Sequence, residues 1–90
     1  MTSAEQKLRL YHTPFCGFCF RVRYAAQELG VELELVDTSK DADAHALLLS
    51  ELGRGTVPVL GIISESGGER LLPESRDIIE YLKEFAASKN

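Results

Sequence analysis

The spacing of apolar and polar residues changes period several times along the chain. Leu8 and Leu10 alternate with Arg9 and Tyr11, which predicts a short strand over Lys7–His12. From Gly17 the period becomes helical: Phe18, Val22, Ala25, Ala26 and Leu29 form an apolar stripe, and Arg21, Arg23, Gln27 and Glu28 fall on other faces. Gly30 is placed to end that helix. Val31-Glu32-Leu33-Glu34-Leu35 alternates again and predicts a second strand with one buried face. Thr38 or Ser39 is placed to cap the next helix, with Asp41 and Asp43 near its positive end. Ala44, Leu47, Leu48 and Leu52 are its buried stripe and Gly53 its stop. Residues 57–63 are almost wholly apolar and predict a central strand, followed by a turn over 64–68 and a return strand over 69–72. Pro73-Glu74-Ser75 opens a last helix with Ile78, Ile79, Leu82, Phe85 and Ala86 on its core face.

The resulting order is β-α-β-α-β-β-α. A βαβ start makes the first two strands parallel with a right-handed crossover, and the closing hairpin makes the last two antiparallel. The compact solution is an α/β domain, a four-stranded mixed sheet with helices on both faces. Ninety residues suffice for one core and not for two, so residues 1–90 read as a single domain with a polar, frayed start over 1–6.

Composition narrows the function classes. The net charge of −4 argues against a nucleic-acid-binding role, which needs a basic face. No apolar run approaches the roughly 20 residues of a membrane span, and the N-terminus lacks an apolar leader, so a cytoplasmic protein is expected. There a reducing pool keeps cysteines as working thiols.

The two cysteines of the chain lie three apart in Cys16-Gly17-Phe18-Cys19, where a strand gives way to a helix. A thiol at a helix start faces unpaired backbone N–H groups and the positive end of the helix dipole, which favour thiolate. Cys16 is therefore the expected nucleophile. Cys19, one turn on, lies about as far away as a disulfide spans, roughly 4.4–6.8 Å between Cα atoms, and is placed to resolve a mixed disulfide. Other uses of the pair fit less well. So short a loop constrains the unfolded chain little, which disfavours a structural bridge. A zinc site wants four ligands, and beyond the thiols only His12 and His45 remain, so no metal site is expected from them. His45, inside the second helix, reads as a solvated or partly packed side chain. Two inert buried cysteines are the remaining alternative, and in this setting the pair reads instead as a thioredoxin-like redox signature.

A family resemblance adds to this. Tyr11-His12-Thr13-Pro14-Phe15-Cys16-Gly17-Phe18-Cys19, then Thr56-Val57-Pro58, then Gly67-Gly68, resembles a glutaredoxin over nearly the whole chain. Val57-Pro58-Val59-Leu60, followed by the run from Leu72-Pro73-Glu74-Ser75 to Tyr81-Leu82, is similar to the N-terminal domain of glutathione S-transferases. Both groups imply a thioredoxin-like fold with three helices and a glutathione site. The resemblance implies a cis Pro58, with the backbone of Val57 pairing the cysteinyl part of glutathione; a trans proline opening an edge strand is the plain alternative. Ser75, at a helix start, would grip the γ-glutamyl carboxylate and Glu74 would meet the amine, or Ser75 is simply an N-cap supported by Asp77. Arg54 matches a position that contacts the glycyl carboxylate in the family, or is a solvated arginine. Two departures stand out. Thr13 occupies the place of a common lysine whose task is to steady the thiolate, a task Arg21 shares unless it is only a solvated residue. Gly67-Gly68 is followed by Glu69-Arg70 rather than an acidic pair, so the γ-glutamyl end is expected to be bound in the transferase manner.

The function implied is a glutathione-dependent thiol–disulfide oxidoreductase acting on protein disulfides and glutathionylated proteins, with glutathione as co-substrate, working as a monomer. A rival is carriage of a [2Fe–2S] cluster between two subunits through Cys16 and glutathione, with Gly17 giving the backbone freedom to admit it. A third reading is a non-catalytic glutathione-binding module. Transferase activity is not expected, because ninety residues leave no room for the helical domain that holds the electrophile. Phe15 and Phe18 fit an apolar docking rim beside the thiols, and Phe18 fits the buried stripe equally.

Overall fold

A computed structural model describes residues 7–88; the frayed start expected over 1–6 lies outside them. The elements are β1 (Lys7–His12), α1 (Gly17–Leu29), β2 (Glu34–Asp37), α2 (Ala42–Leu52), β3 (Val59–Ile63), β4 (Glu69–Pro73) and α3 (Ser75–Ser88). The strands form one sheet in the order β2-β1-β3-β4. β1 runs parallel to β2 and antiparallel to β3, and β3 pairs antiparallel with β4. The expected architecture and element order are therefore those observed. Among the described residues no helix is long and apolar enough to cross a membrane.

Alternation in the two central strands divides the core between two layers. Leu8, Leu10, Leu60 and Ile62 face Val22 and Ala26 of α1 and Ile78 and Leu82 of α3. Tyr11 and Val59 face Ala44 and Leu48 of α2 on the other side. Gly30 and Gly53 end their helices with φ of 70° and 76°, the left-handed backbone that a side chain resists.

Several boundaries differ from the sequence pattern, each for a packing reason. The second strand begins at Glu34 rather than Val31, because the ladder to β1 starts at Arg9↔Glu34. Val31 and Leu33 still pack on the core from the connection, while Leu35, on the edge strand beside α1, keeps 48% of its surface exposed. In α1 the buried stripe is Cys19, Val22 and Ala26, and Phe18 is 58% exposed. Cys16 caps this helix, which turns Cys19 inward and Phe18 out. Asp41, not Thr38 or Ser39, caps α2, accepting the Ala44 N–H at 3.0 Å. Thr38 instead donates its N–H to the His12 carbonyl at 3.0 Å, and Ser39 bonds the Asp37 carboxylate. The third strand starts at Val59, since Pro58 has no N–H for a ladder. The return strand runs through Pro73, paired with Val59, and the last helix begins only at Ser75.

One polar assembly crosses the α2 side of the sheet. Tyr11 is buried, and its hydroxyl donates to Glu69 Oε2 at 2.6 Å and accepts from Arg9 at 3.4 Å. Arg9 also reaches Glu34 at 3.3 Å. Glu69 lies on β4 and Tyr11 on β1, so the carboxylate must pass over β3, and it does so across Gly61.

Candidate active site

The loop 13–15 delivers Cys16 to the start of α1, where it occupies the N-cap with extended backbone (φ −95°, ψ 122°). Its sulfur accepts the Cys19 backbone N–H at 3.3 Å, the place a serine or aspartate oxygen takes in an ordinary cap. Burial resists ionisation of Cys16, but hydrogen bonds from the Cys19 thiol and from the backbone N–H groups of Cys19 and Phe18 outweigh it. The Cys16 thiol is thereby held below the ordinary cysteine value. Cys19 is the opposite case. Its complete burial pushes its thiol up to about 11; a hydrogen bond with the Thr13 backbone opposes this, the hydrogen bond and negative charge of Cys16 add to it, and the Arg23 charge pulls weakly the other way. Both cysteines are free thiols, one half-buried and the other buried.

The raised Cys19 value carries a sign for stability. A buried thiol that ionises later in the folded chain than in the unfolded one stabilises fully below the ordinary thiol value. Stability of the reduced protein should therefore fall as pH rises from that value to about 11. Urea midpoints across this window should drop in the wild type and much less in Cys19→Ser; parallel curves would contradict the assignment.

The segment 54–58 closes on the thiol from the other side. The Val57–Pro58 peptide bond is cis, and Cys16 Sγ lies 4.0 Å from the Val57 carbonyl oxygen. Thr56 is exposed, Val57 half-buried and Pro58 buried. Arg54 meets Glu74 at 3.3 Å, which ties this segment to the start of α3. Both side chains are exposed, and such pairs contribute about 0–1 kcal/mol, so either partner is readily exchanged. Glu74 holds a left-handed φ of 77°, uncommon outside glycine, and its carbonyl accepts the Ile78 N–H at 3.0 Å. Glu74 is thus the capping residue of α3, and Ser75 is its first helical residue rather than the cap, with Asp77 in the first turn.

These observations converge on a known group. Residues 10–89 match the family described as Glutathione S-transferase, N-terminal domain. The chain belongs to this family. As a transferase-type N-terminal domain it has the thioredoxin-like fold, and solved structures agree. Glutathione transferase Omega 2S from Trametes versicolor superposes with a TM-score of 0.72 at 21% identity, over 92% of this chain and 38% of that one. Maleylacetoacetate isomerase from Anaeromyxobacter dehalogenans 2CP-1, solved with bound GSH in the active site, gives 0.64 at 28% identity, over 94% of this chain and 40% of that one. The buckwheat glutaredoxin–glutathione complex gives 0.54 at 28% identity, over 61% of this chain and 53% of that one. No curated relative matches the chain. The chain spans about two fifths of the length of the transferase and the isomerase. The family match thus falls on the transferase side of the double resemblance, with the glutaredoxin as a structural neighbour.

Within this transferase-type domain the expected site residues occupy two groups. Cys16, Cys19, Val57 and Pro58 meet around the thiols, and Arg54, Glu74 and Ser75 gather where the 54–58 segment approaches α3. Arg21 is not among the groups that hold Cys16 down; its guanidinium lies 5.9 Å from the Phe18 ring centroid. Arg23 is the residue that the apolar stripe concealed. Its charge acts on Cys19, and its only sequence signal is the four-residue spacing that puts the two on neighbouring turns. Nothing local marks the left-handed backbone of Glu74 or its meeting with Arg54.

Proposed function

We propose that this domain binds glutathione and catalyses thiol–disulfide exchange through Cys16. The observation that carries the reading is the placement of the two sulfurs: a half-buried one capping α1, accepting the Cys19 N–H and lying 4.0 Å from the Val57 carbonyl oxygen, beside one that is wholly buried. In the first step the Cys16 thiolate attacks the glutathione sulfur of a glutathionylated protein. A Cys16–glutathione disulfide forms, the old S–S bond breaks, and the substrate thiolate leaves and takes a proton from water. The thiolate of a second glutathione attacks that same sulfur, giving oxidised glutathione and restoring Cys16. With a protein disulfide as substrate, the Cys16 thiolate first attacks it, forming a mixed disulfide and releasing one substrate thiolate. Cys19 then gives up its proton to water and attacks Cys16 Sγ, breaking the mixed disulfide, releasing the second substrate thiol and closing the Cys16–Cys19 disulfide. Two glutathiones reduce that disulfide with formation of oxidised glutathione. The wholly buried Cys19 thiol must lose its proton from a site away from solvent before it can attack, which favours the monothiol route.

In this reading Thr56-Val57-Pro58 lies along the cysteinyl part of glutathione, with the Val57 backbone as its partner. Ser75 and the N–H groups opening α3 hold the γ-glutamyl carboxylate. Arg54 and Glu74 exchange their mutual pair for the glycyl carboxylate and the amine of the ligand. Two of the structural neighbours carry glutathione, which supports this ligand. The domain is taken to act as a monomer in the reducing cytoplasm. A [2Fe–2S] cluster, the alternative, would take Cys16 from this chain, since Cys19 is wholly buried, with glutathione and a second subunit completing its ligands.

The family match also favours a second reading, a glutathione-binding unit whose chemistry lies in a partner domain. Mass spectrometry separates the two. Cys19→Ser treated with oxidised glutathione should gain one glutathione on Cys16 and lose it when reduced glutathione is added. A protein that binds glutathione but never takes the adduct would support the second reading against the first.

A further inference from the structure

The exposed surface beside the thiols is aromatic and basic, and the exchange chemistry leaves it unused. Phe15 is 99% exposed and Phe18 58% exposed, on either side of Cys16. The Arg21 guanidinium lies 5.9 Å from the Phe18 ring centroid. Further along α1, Phe20 is 59% exposed and stacks on Tyr24 at 6.3 Å, with Arg23 5.7 Å from the Phe20 ring centroid. From Gly17 to Gln27 the helix carries two arginines and no acid, in a chain of net charge −4. Among the described residues neither arginine has an acidic partner. Two exposed aromatic–arginine groupings along one helix mark an interaction surface, and a guanidinium over an aromatic ring keeps N–H donors for a carboxylate.

We propose that this collar docks the protein half of the mixed disulfide and selects cysteines flanked by acidic and aromatic residues. The proposal rests on the exchange reading above. Glutathione is assigned there to residues 54–58 and the start of α3, so the outer face of α1 is left for the substrate chain. Charge complementarity fixes the class of partner: two arginines on an otherwise acidic protein attract an acidic segment at the start of α1, where Cys16 waits, while the net negative charge disfavours its resting elsewhere. When the Cys16 thiolate takes the glutathione sulfur, the departing thiolate belongs to the segment lying against Phe15 and Phe18.

The test uses the full chain and a set of glutathionylated peptides identical except at the residues flanking the cysteine: Asp with Phe, Lys with Phe, Asp with Ser, and Lys with Ser. A small dialkyl disulfide without flanking residues serves as the reference. The Asp–Phe peptide should exceed the Lys–Phe peptide in kcat/KM by about tenfold at low salt, and the ratio should shrink as salt shortens the Debye length. Arg21→Glu combined with Arg23→Glu should invert the acidic-over-basic order, and Phe15→Ser should remove the advantage of Phe over Ser. Equal kcat/KM for all four peptides, with the small disulfide reduced normally, would overturn the docking proposal and leave the exchange reading intact. Failure to reduce even the small disulfide would overturn the exchange reading. Docking is then read by NMR titration with S-methylated versions of the peptides, where shifts at Phe15 to Tyr24 without preference for the acidic peptides overturn it as well. A concentration-dependent dimer abolished by Phe20→Ser would assign the collar to a second copy of the chain and equally overturn the proposal.

Discussion

Cys16→Ser is expected to lower glutathione-dependent disulfide reduction by about a thousandfold or more, while Cys19→Ser retains most of the rate on glutathionylated substrates. The contrast is clean because serine is among the best N-cap residues, and its oxygen can take over the bond from the Cys19 N–H. The helix start survives, so the loss in Cys16→Ser reports lost nucleophilicity rather than lost fold. Cys19→Ser acts differently. Its hydroxyl still offers a donor to the Cys16 sulfur and the backbone donors are untouched, so the first attack is largely preserved. The substitution does remove the resolving sulfur, so turnover of a protein dithiol substrate through an internal disulfide disappears. Steady-state rates on a glutathionylated peptide and on a protein disulfide, measured for all three proteins, separate these effects. Equal loss in both single variants on the glutathionylated peptide would sink the division of roles.

The second large effect is structural. Gly61→Val should lower stability by about 2–4 kcal/mol, read as a reduced urea midpoint at unchanged slope. A Cβ at this position would overlap the Glu69 carboxylate and lie 3.1 Å from Tyr11 Cε2. The ring cannot move, and the carboxylate, at the end of a flexible side chain, can move only by giving up the Tyr11 hydroxyl. Tyr11 is fixed in the core of the α2 layer, and Glu69 is held by the Tyr11 hydroxyl at 2.6 Å. Pushing the carboxylate aside strands a buried hydroxyl as well as overpacking the strand, and leaving such a group unsatisfied costs about 1–3 kcal/mol. Glu69→Ala removes the obstruction, so Gly61→Val should be milder in that background, a coupling that a double-mutant cycle measures directly. Additive effects of the two substitutions would show that the carboxylate is not what requires glycine here.

The glycine also shows where local pattern stops being informative. Residues 57–63 read as an apolar central strand, and Gly61 within them carries no local explanation. Its reason is Glu69 reaching Tyr11, 58 positions away in the chain. The α1 stripe shows the same limit more finely. Helical spacing admits Phe18 or Cys19 on the buried side, and the capping role of Cys16 selects Cys19. The second strand slid to Glu34 because alternation marks which face is buried but not where the ladder to β1 begins.

The sequence alone determined the element order, the two-sided core and the place of the cysteine pair at a helix start, because periods of 2 and 3.6, glycine stops and a C-x-x-C after a strand are local signals. Tertiary structure alone decided the rest: Cys16 brought to 4.0 Å from Val57, 41 positions on; Arg54 joined to Glu74; Cys19 sealed in the core and its thiol driven up; and Phe15 left bare beside the nucleophile. Each of these depends on which segments the packed sheet brings together, and both the titration of a thiol and the exposure of a ring are properties of that surrounding.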